Sequence, residues 1–295
     1  MPEWYDLFQD GPGERIRIYR FSMASGKTAL FPVLARRVNR FETECSSGPA
    51  GVYGGWLSDA PLDDGEAEAL ADRVCSELPF YIWRLNPYER WQATQSGGDE
   101  ADFTQALRLD RPWSEIERGM SDTRKWEARK ALREGVVVRL AAGERDWEDY
   151  YSCYLDSGAR WGADESRLLS RDFFRRLEGR SGAKLQLWLA AREGEVAAGA
   201  LLLFHNRHVV YWHGASHRRH LAAHPASLLQ YSLLRLAWGK KLLWYDFNPS
   251  AGLVGVVFFK ASFGAEKMAA RVWRRRANLP IGQRLLRRVL HLIRR

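Results

Sequence analysis

A single lysine inside an apolar run is the first place to look for chemistry in this chain. The stretch 252–266, GLVGVVFFKASFGAE, carries no charge before Lys260. An ammonium buried among Val and Phe needs an anionic partner or a function. Upstream, the apolar run Leu242–Tyr245 ends at Asp246, where a loop Phe-Asn-Pro-Ser-Ala-Gly begins. Both apolar runs read as strands, so Asp246 and Lys260 form a candidate catalytic pair at neighbouring strand ends. The cation suits a tetrahedral oxyanion, where one such donor contributes on the order of 3 kcal/mol. The acid suits an amine, which it can orient or deprotonate, or it pairs with Lys260. No general base is required, because an α-amine of pKa about 8 is already partly neutral at pH 7. A structural ion pair accounts for the same two residues.

Weaker candidates surround this pair. Tyr211 in VYWHG and Tyr53 in GPAGVYGG stand at similar aromatic–glycine exits, where backbone can approach a ligand closely. They are either binding-site wall or strand-end core. Arg219 and Ser250 are candidate phosphate or hydroxyl contacts, and Arg160 and Trp161 in SGARWG are candidate acceptor contacts. His220 and His224 are four apart but lack a third ligand, so no metal site is expected. The chain has no phosphate loop of the GxxxxGK type, no GxGxxG, no HExxH and no GxSxG. Transfer chemistry that relies on positioning and electrostatics remains.

The elements that must position these residues occur twice. TALFPVLARRV is a strand, SSGPAGVYGGW a glycine-rich exit, DDGEAEALADRVCSEL a helix, and FYIWRLNPYERW a strand entering Asn-Pro. Later, AAGALLLFHNRHVVYWHGAS reads as a hairpin, HPASLLQYSLLRLAWGKK as a helix closed by Gly239, and LLWYDFNPSAG as a strand entering Asn-Pro. This repetition predicts a tandem duplicated α/β chain. The first unit is placed at 1–110 and the second at 181–295, with a helical section at 111–180 belonging to the second. Ser121 or Asp122 caps TRKWEARKALRE, which Gly135 ends, and Ser170 caps RDFFRRLEG. The aromatic face of WEDYYSCYLDS reads as core, and the cluster Arg124, Lys125, Arg129 and Lys130 as a solvated face.

Charge is distributed unevenly. After Glu266 there is no acid, and Lys267 plus nine arginines give ten positive charges, so residues 1–266 sum to −1 against a total of +9. Residues 281–295, IGQRLLRRVLHLIRR, read as a basic amphipathic helix that either packs on its own domain or meets phosphate, in tRNA or at an anionic membrane surface. The N-terminus starts with acids and has no apolar h-region, and no run is long enough to span a bilayer. Three widely spaced cysteines give no disulfide framework. The expected location is cytoplasmic, with the inner membrane face as a peripheral site.

With these stretches assembled, the chain resembles the FemAB-like family, relatives of the GNAT acyltransferases. The resemblance rests on VVYWHGAS, HPASLLQYSLLRLAWGKKLLWYDF and GLVGVVFFKASFGAE, with LFPVLARRV, GPAGVYGG and SDTRKWEARKALREGV in support. It implies an α/β (α+β) fold of two GNAT-like units, with mixed central sheets flanked by helices and a cleft between the units. It implies amide formation, with an aminoacyl group passed from aminoacyl-tRNA to an amine of a cell-wall precursor or another small or lipid-linked acceptor. Some relatives use acyl-CoA instead. On this resemblance Lys260 lines the donor end and Phe259 packs against the transferred group, with no tightly bound cofactor. CoA-using relatives seat the pyrophosphate on a glycine-containing loop at a helix N-terminus. Here RRHLAAHPASLL offers Arg219 but no glycine, and Pro225 removes an amide donor. An aminoacyl-tRNA donor is therefore the expectation, with an acyl-CoA N-acyltransferase and a non-catalytic membrane-docking module as alternatives.

Overall fold

The computed structural model describes residues 2–8, 14–37, 43–78, 81–89, 91, 102–160, 162, 168–250 and 252–275. The chain divides into two compact units, one of Met1–Ala101 with Ala270–Arg295 and the other of Asp102–Ala269. Among the described residues, no helix is long and apolar enough to cross a membrane.

The first unit opens with α1 (Pro2–Asp6), β1 (Glu14–Ser22), β2 (Thr28–Arg37), β3 (Thr43–Ser47) and β4 (Leu57–Ser58). After them come α2 (Asp64–Glu77) and β5 (Tyr81–Arg84). β2 pairs antiparallel with β1, β3 and β4, and β5 lies parallel to β3. Asp63 begins α2 with a capping box, its carboxylate accepting from the Glu66 amide while Glu66 reaches back to the Asp63 amide. The inner face of α2, Ala67, Leu70, Ala71 and Val74, is buried against Phe21, Phe31 and Trp83.

The second unit contains β6 (Phe103–Arg108), α3 (Trp113–Gly119), α4 (Asp122–Arg133), β7 (Val137–Leu140), α5 (Glu144–Arg160) and α6 (Arg171–Glu178). It continues through β8 (Leu185–Arg192), β9 (Glu195–His205), β10 (His208–Ser216), α7 (Pro225–Gly239), β11 (Trp244–Asp246), α8 (Val254–Ala261) and β12 (Glu266–Ala269). The seven strands run in the order β12-β6-β11-β10-β9-β8-β7, with β10 and β11 parallel. The chain then returns to the first sheet as β13 (Val272–Arg275), antiparallel to β5.

The repeat is visible in the pairing. β2 and β3 are antiparallel, a 3₁₀ turn follows at Pro49–Gly51, and then come a helix and a strand parallel to β3. β9 and β10 are antiparallel, a 3₁₀ stretch follows at Arg218–Ala223, and then come a helix and a strand parallel to β10. The strand beside each parallel strand comes from the other side of the chain. β6, which follows the first unit in sequence, flanks β11, and β13, which follows the second, flanks β5. Residues 102–110 therefore belong with the second unit and 270–275 with the first, unlike the division at residue 110 expected above.

Three local expectations change. The run holding Lys260 is the helix α8, not a strand. A short apolar run does not distinguish the two by periodicity. Gly252 at φ 77° turns the chain ahead of the helix, and Leu253 stands at its N-cap position. The end of α7 is turned by Lys241 at φ 56°, with Gly239 still helical. Arg124 is not part of a solvated face but is held between helices, as described below. Ser121, Gly135, Ser170 and the buried face Trp147, Tyr150 and Tyr154 stand as the sequence indicates.

Candidate active site

β11 ends on Asp246, whose fully buried carboxylate accepts from the Thr104 hydroxyl on adjacent β6 at 2.6 Å and from the Asn248 amide at 2.7 Å. Asn248 lies at φ 59°, a conformation its short polar side chain tolerates, and this residue turns the chain out of the sheet. α8 then carries Lys260 back to the same turn. The Lys260 ammonium donates to the carbonyls of Asn248 at 2.7 Å and Pro249 at 3.3 Å. One residue thus joins the two charges, its N–H on Asp246 and its C=O on Lys260. Burial pulls Lys260 down to about 8, opposed by the negative charges of Asp246 and Asp102. The ammonium remains largely protonated at neutral pH, with two of its three N–H bonds directed at carbonyls.

Two buried acceptors beside this turn, Asn248 Oδ1 and Gln105 Oε1, have no hydrogen-bond partner among the described residues. Gln105 sits on β6, its Nε2 donating to the Val257 carbonyl of α8 at 3.0 Å and its backbone carbonyl accepting from the Phe247 amide at 2.8 Å. Unpaired buried acceptors are costly and rare, and the N–H groups of an amine would satisfy them. Sequence reading missed Gln105 and Asn248. The signal present was a glutamine inside the apolar pattern of β6 and the Asn of Asn-Pro.

The other predicted residues divide. Ser250 is buried in the same turn, where its carbonyl accepts from the Leu253 amide at 2.9 Å to start α8. Phe259 neighbours Lys260, and the Arg124 guanidinium lies 4.8 Å over its ring. Tyr211 packs edge-on to Phe247 at 6.1 Å, and burial pushes its hydroxyl up to about 12 against a hydrogen bond with Gln230. Gly214 makes room for it, since a Cβ there would stand 1.6 Å from the Tyr211 hydroxyl. Arg160 is committed to structure, donating to the Ser216 carbonyl at 2.7 Å and lying 3.5 Å from Asp156. Arg219 is exposed and pairs with Glu195 at 3.0 Å. Tyr53 belongs to the first unit and is partly buried. Trp161 and residues 281–295 lie outside the described residues.

A second polar centre, which sequence reading also missed, closes the first turn of α7. The Glu127 carboxylate, on the buried side of α4, accepts from the Ser227 hydroxyl at 2.5 Å and from Arg124, and lies 3.5 Å from His224. His224 caps α7 at φ 52° and Pro225 follows. Arg124 also donates to the Ser262 hydroxyl at 2.7 Å, tying α4 to the end of α8. An acid here balances the positive end of the α7 dipole. The sequence hint was Glu127 spaced with Ala128 and Ala131 on the inner face of α4.

Residues 121–260 match the family model described as an acetyltransferase (GNAT) domain. This part of the chain is a GNAT acyltransferase domain. The fold of the chain is shared with FemX, at TM-score 0.69 and 14% identity over 92% of this chain and 89% of that one. It is also shared with the C-terminal domain of a protein assigned as a lysylphosphatidylglycerol synthetase from Agrobacterium fabrum, at TM-score 0.58 and 10% identity over 88% and 84%. A tandem GNAT protein from the clavulanic acid biosynthesis pathway aligns at TM-score 0.53 and 13% identity over 95% of each chain. No curated protein matches the sequence. These likenesses show the fold that the tandem GNAT reading of the sequence implied.

Proposed function

We propose that this GNAT acyltransferase forms amides by passing an aminoacyl group from aminoacyl-tRNA to an amine of a cell-envelope or other metabolite precursor. The observation that carries the donor choice is the filled first turn of α7. CoA-dependent GNAT enzymes place the pyrophosphate against free amides at this position. Here the Glu127 carboxylate and Ser227 hydroxyl occupy it, and Pro225 has no amide to give. A pyrophosphate would meet a carboxylate, so the residues do not suit CoA. The lysylphosphatidylglycerol synthetase assignment, by its name, supports an aminoacyl donor and an envelope acceptor.

In this reading the amine attacks the ester carbonyl carbon, a C–N bond forms, and the carbonyl electron pair moves to oxygen. The Lys260 N–H not engaged by Asn248 and Pro249 faces that oxyanion, while Asn248 Oδ1 and Gln105 Oε1 take N–H bonds of the amine. Collapse expels the ribose hydroxyl oxygen, which receives the proton lost by nitrogen. Asp246 positions the turn that presents Lys260.

Thermal stability measured with CoA, acetyl-CoA and charged tRNA, at two salt concentrations, tests the donor. A salt-sensitive shift with charged tRNA and none with CoA is expected. Stabilisation by CoA overturns the donor assignment and favours an acyl-CoA N-acyltransferase.

A further inference from the structure

Helices α3, α4 and α7 enclose a groove of about 540 Å³, within the size range of small-ligand sites. Its floor is apolar, with the buried Ala128 and Leu228, Leu132 stands exposed at its rim, and three cations line it, Arg118, Lys125 and Arg129. The single acid in the lining, Glu117, is engaged by the Tyr231 hydroxyl at 2.5 Å. Lys125 pairs with the exposed Asp122 at 2.8 Å, but Arg118 and Arg129 have no acidic partner within 4 Å among the described residues. The groove lining therefore carries more positive than negative charge, three cations against one carboxylate, beside apolar side chains.

A second observation lies along the exposed surface of α4 that borders the groove. α4 exposes Trp126 at 51% and Leu132 at 64%, interleaved with Arg129 and Arg133. The exposed Trp and Leu stand to either side of the arginines, so this surface offers a phospholipid both cationic and apolar groups. A phosphodiester backbone would leave the apolar floor and Leu132 unused, whereas an anionic phospholipid uses both.

We propose that the α3/α4/α7 groove and the exposed strip of α4 bind an anionic phospholipid surface, with one headgroup phosphate at Arg118 and Arg129 and the start of an acyl chain against Leu132 and Leu228. The site is separate from the turn that holds Lys260, and the proposal stands whether or not that turn carries aminoacyl transfer.

The test uses the full chain and two probes, monomeric dihexanoyl-phosphatidylglycerol in calorimetry and phosphatidylglycerol vesicles in flotation, each with a phosphatidylcholine counterpart. One-to-one binding of the short-chain anionic lipid is expected, with at least tenfold weaker binding of the zwitterionic one. R118E/R129E should weaken both anionic probes at least tenfold, and R118Q/R129Q in the same direction by less. Leu132→Asn should weaken the short-chain lipid a fewfold and leave weak inorganic phosphate binding unchanged. R287E/R288E, in the C-terminal basic run, should leave the short-chain lipid unaffected. Equal affinity for phosphatidylcholine overturns the proposal, as does unchanged short-chain binding in R118E/R129E. Loss of tRNA binding in that variant with lipid binding intact reassigns the groove to nucleic acid and equally overturns it.

Discussion

The two units share a topology but are filled with different chemistry. The first unit buries an aromatic cluster, in which Phe31, Trp56, Trp91 and Trp273 surround Trp83 at ring separations of 5.0, 5.8, 5.9 and 5.3 Å. Of the eleven buried polar or charged residues among those described, only Ser47 belongs to it. The other ten, including Glu127, Asp246 and Lys260, lie in the second unit. Burying polar groups costs stability unless they are paired. With ten such residues in one copy and one in the other, among those described, volume and shape hold the first unit, and the second keeps a polar interior in which the proposed chemistry would sit.

That contrast can be broken at either end. Trp83→Ala should remove about 3 to 5 kcal/mol, the usual cost of truncating a fully buried Trp. Urea unfolding measures it, and a loss below about 1 kcal/mol would mean the aromatic cluster does not hold the first unit. Lys260→Ala should lower the rate of transfer 10² to 10³-fold, roughly 3 to 4 kcal/mol of barrier, while leaving charged tRNA binding intact. Full retained activity removes Lys260 from the mechanism. If the charged form acts, kcat/KM should fall as pH rises above about 8, the value to which burial lowers this lysine. That limb should be absent from whatever activity Lys260→Arg retains.

His213 offers a third comparison, since it is a polar residue of the second unit enclosed by aromatic rings. Tyr154 lies 4.8 Å, Trp212 5.5 Å and Phe174 6.1 Å from its ring, and the Tyr150 hydroxyl stands 2.5 Å from Nδ1. Burial without a nearby acid holds it down at about 4, against the ordinary 6.5, so the folded ring is neutral. As pH falls from 6.5 to 4 the unfolded chain takes up the proton first, and the folded state loses about 3 kcal/mol. Urea titrations across that range should show the slope, and His213→Phe should flatten it. The smallest expected effect is at Gly214. Alanine there should cost about 2 kcal/mol through crowding of Tyr211, and Tyr211→Phe in the same chain should recover part of it.

The sequence alone determined much of the scaffold. Helix caps at Ser121 and Ser170, the hairpin at His205–His208 and the duplicated order are local signals, because capping and turn chemistry act within a few residues. Asp246 and Lys260 were legible as types, since a charge inside an apolar run is conspicuous wherever the chain goes. Tertiary structure decided the rest. An apolar octet is compatible with strand or helix, and packing beside β6 made α8 a helix that delivers Lys260 to the Asn248 carbonyl. No local pattern announces that β6 joins the second sheet while β13 returns to the first, because strand partners are chosen by distant residues. Nor does any spacing reveal that Glu127 reaches Ser227, one hundred residues later, and fills the helix end that a pyrophosphate would need. Such contacts form only when separate amphipathic faces are buried together, since a charge finds its partner in three dimensions.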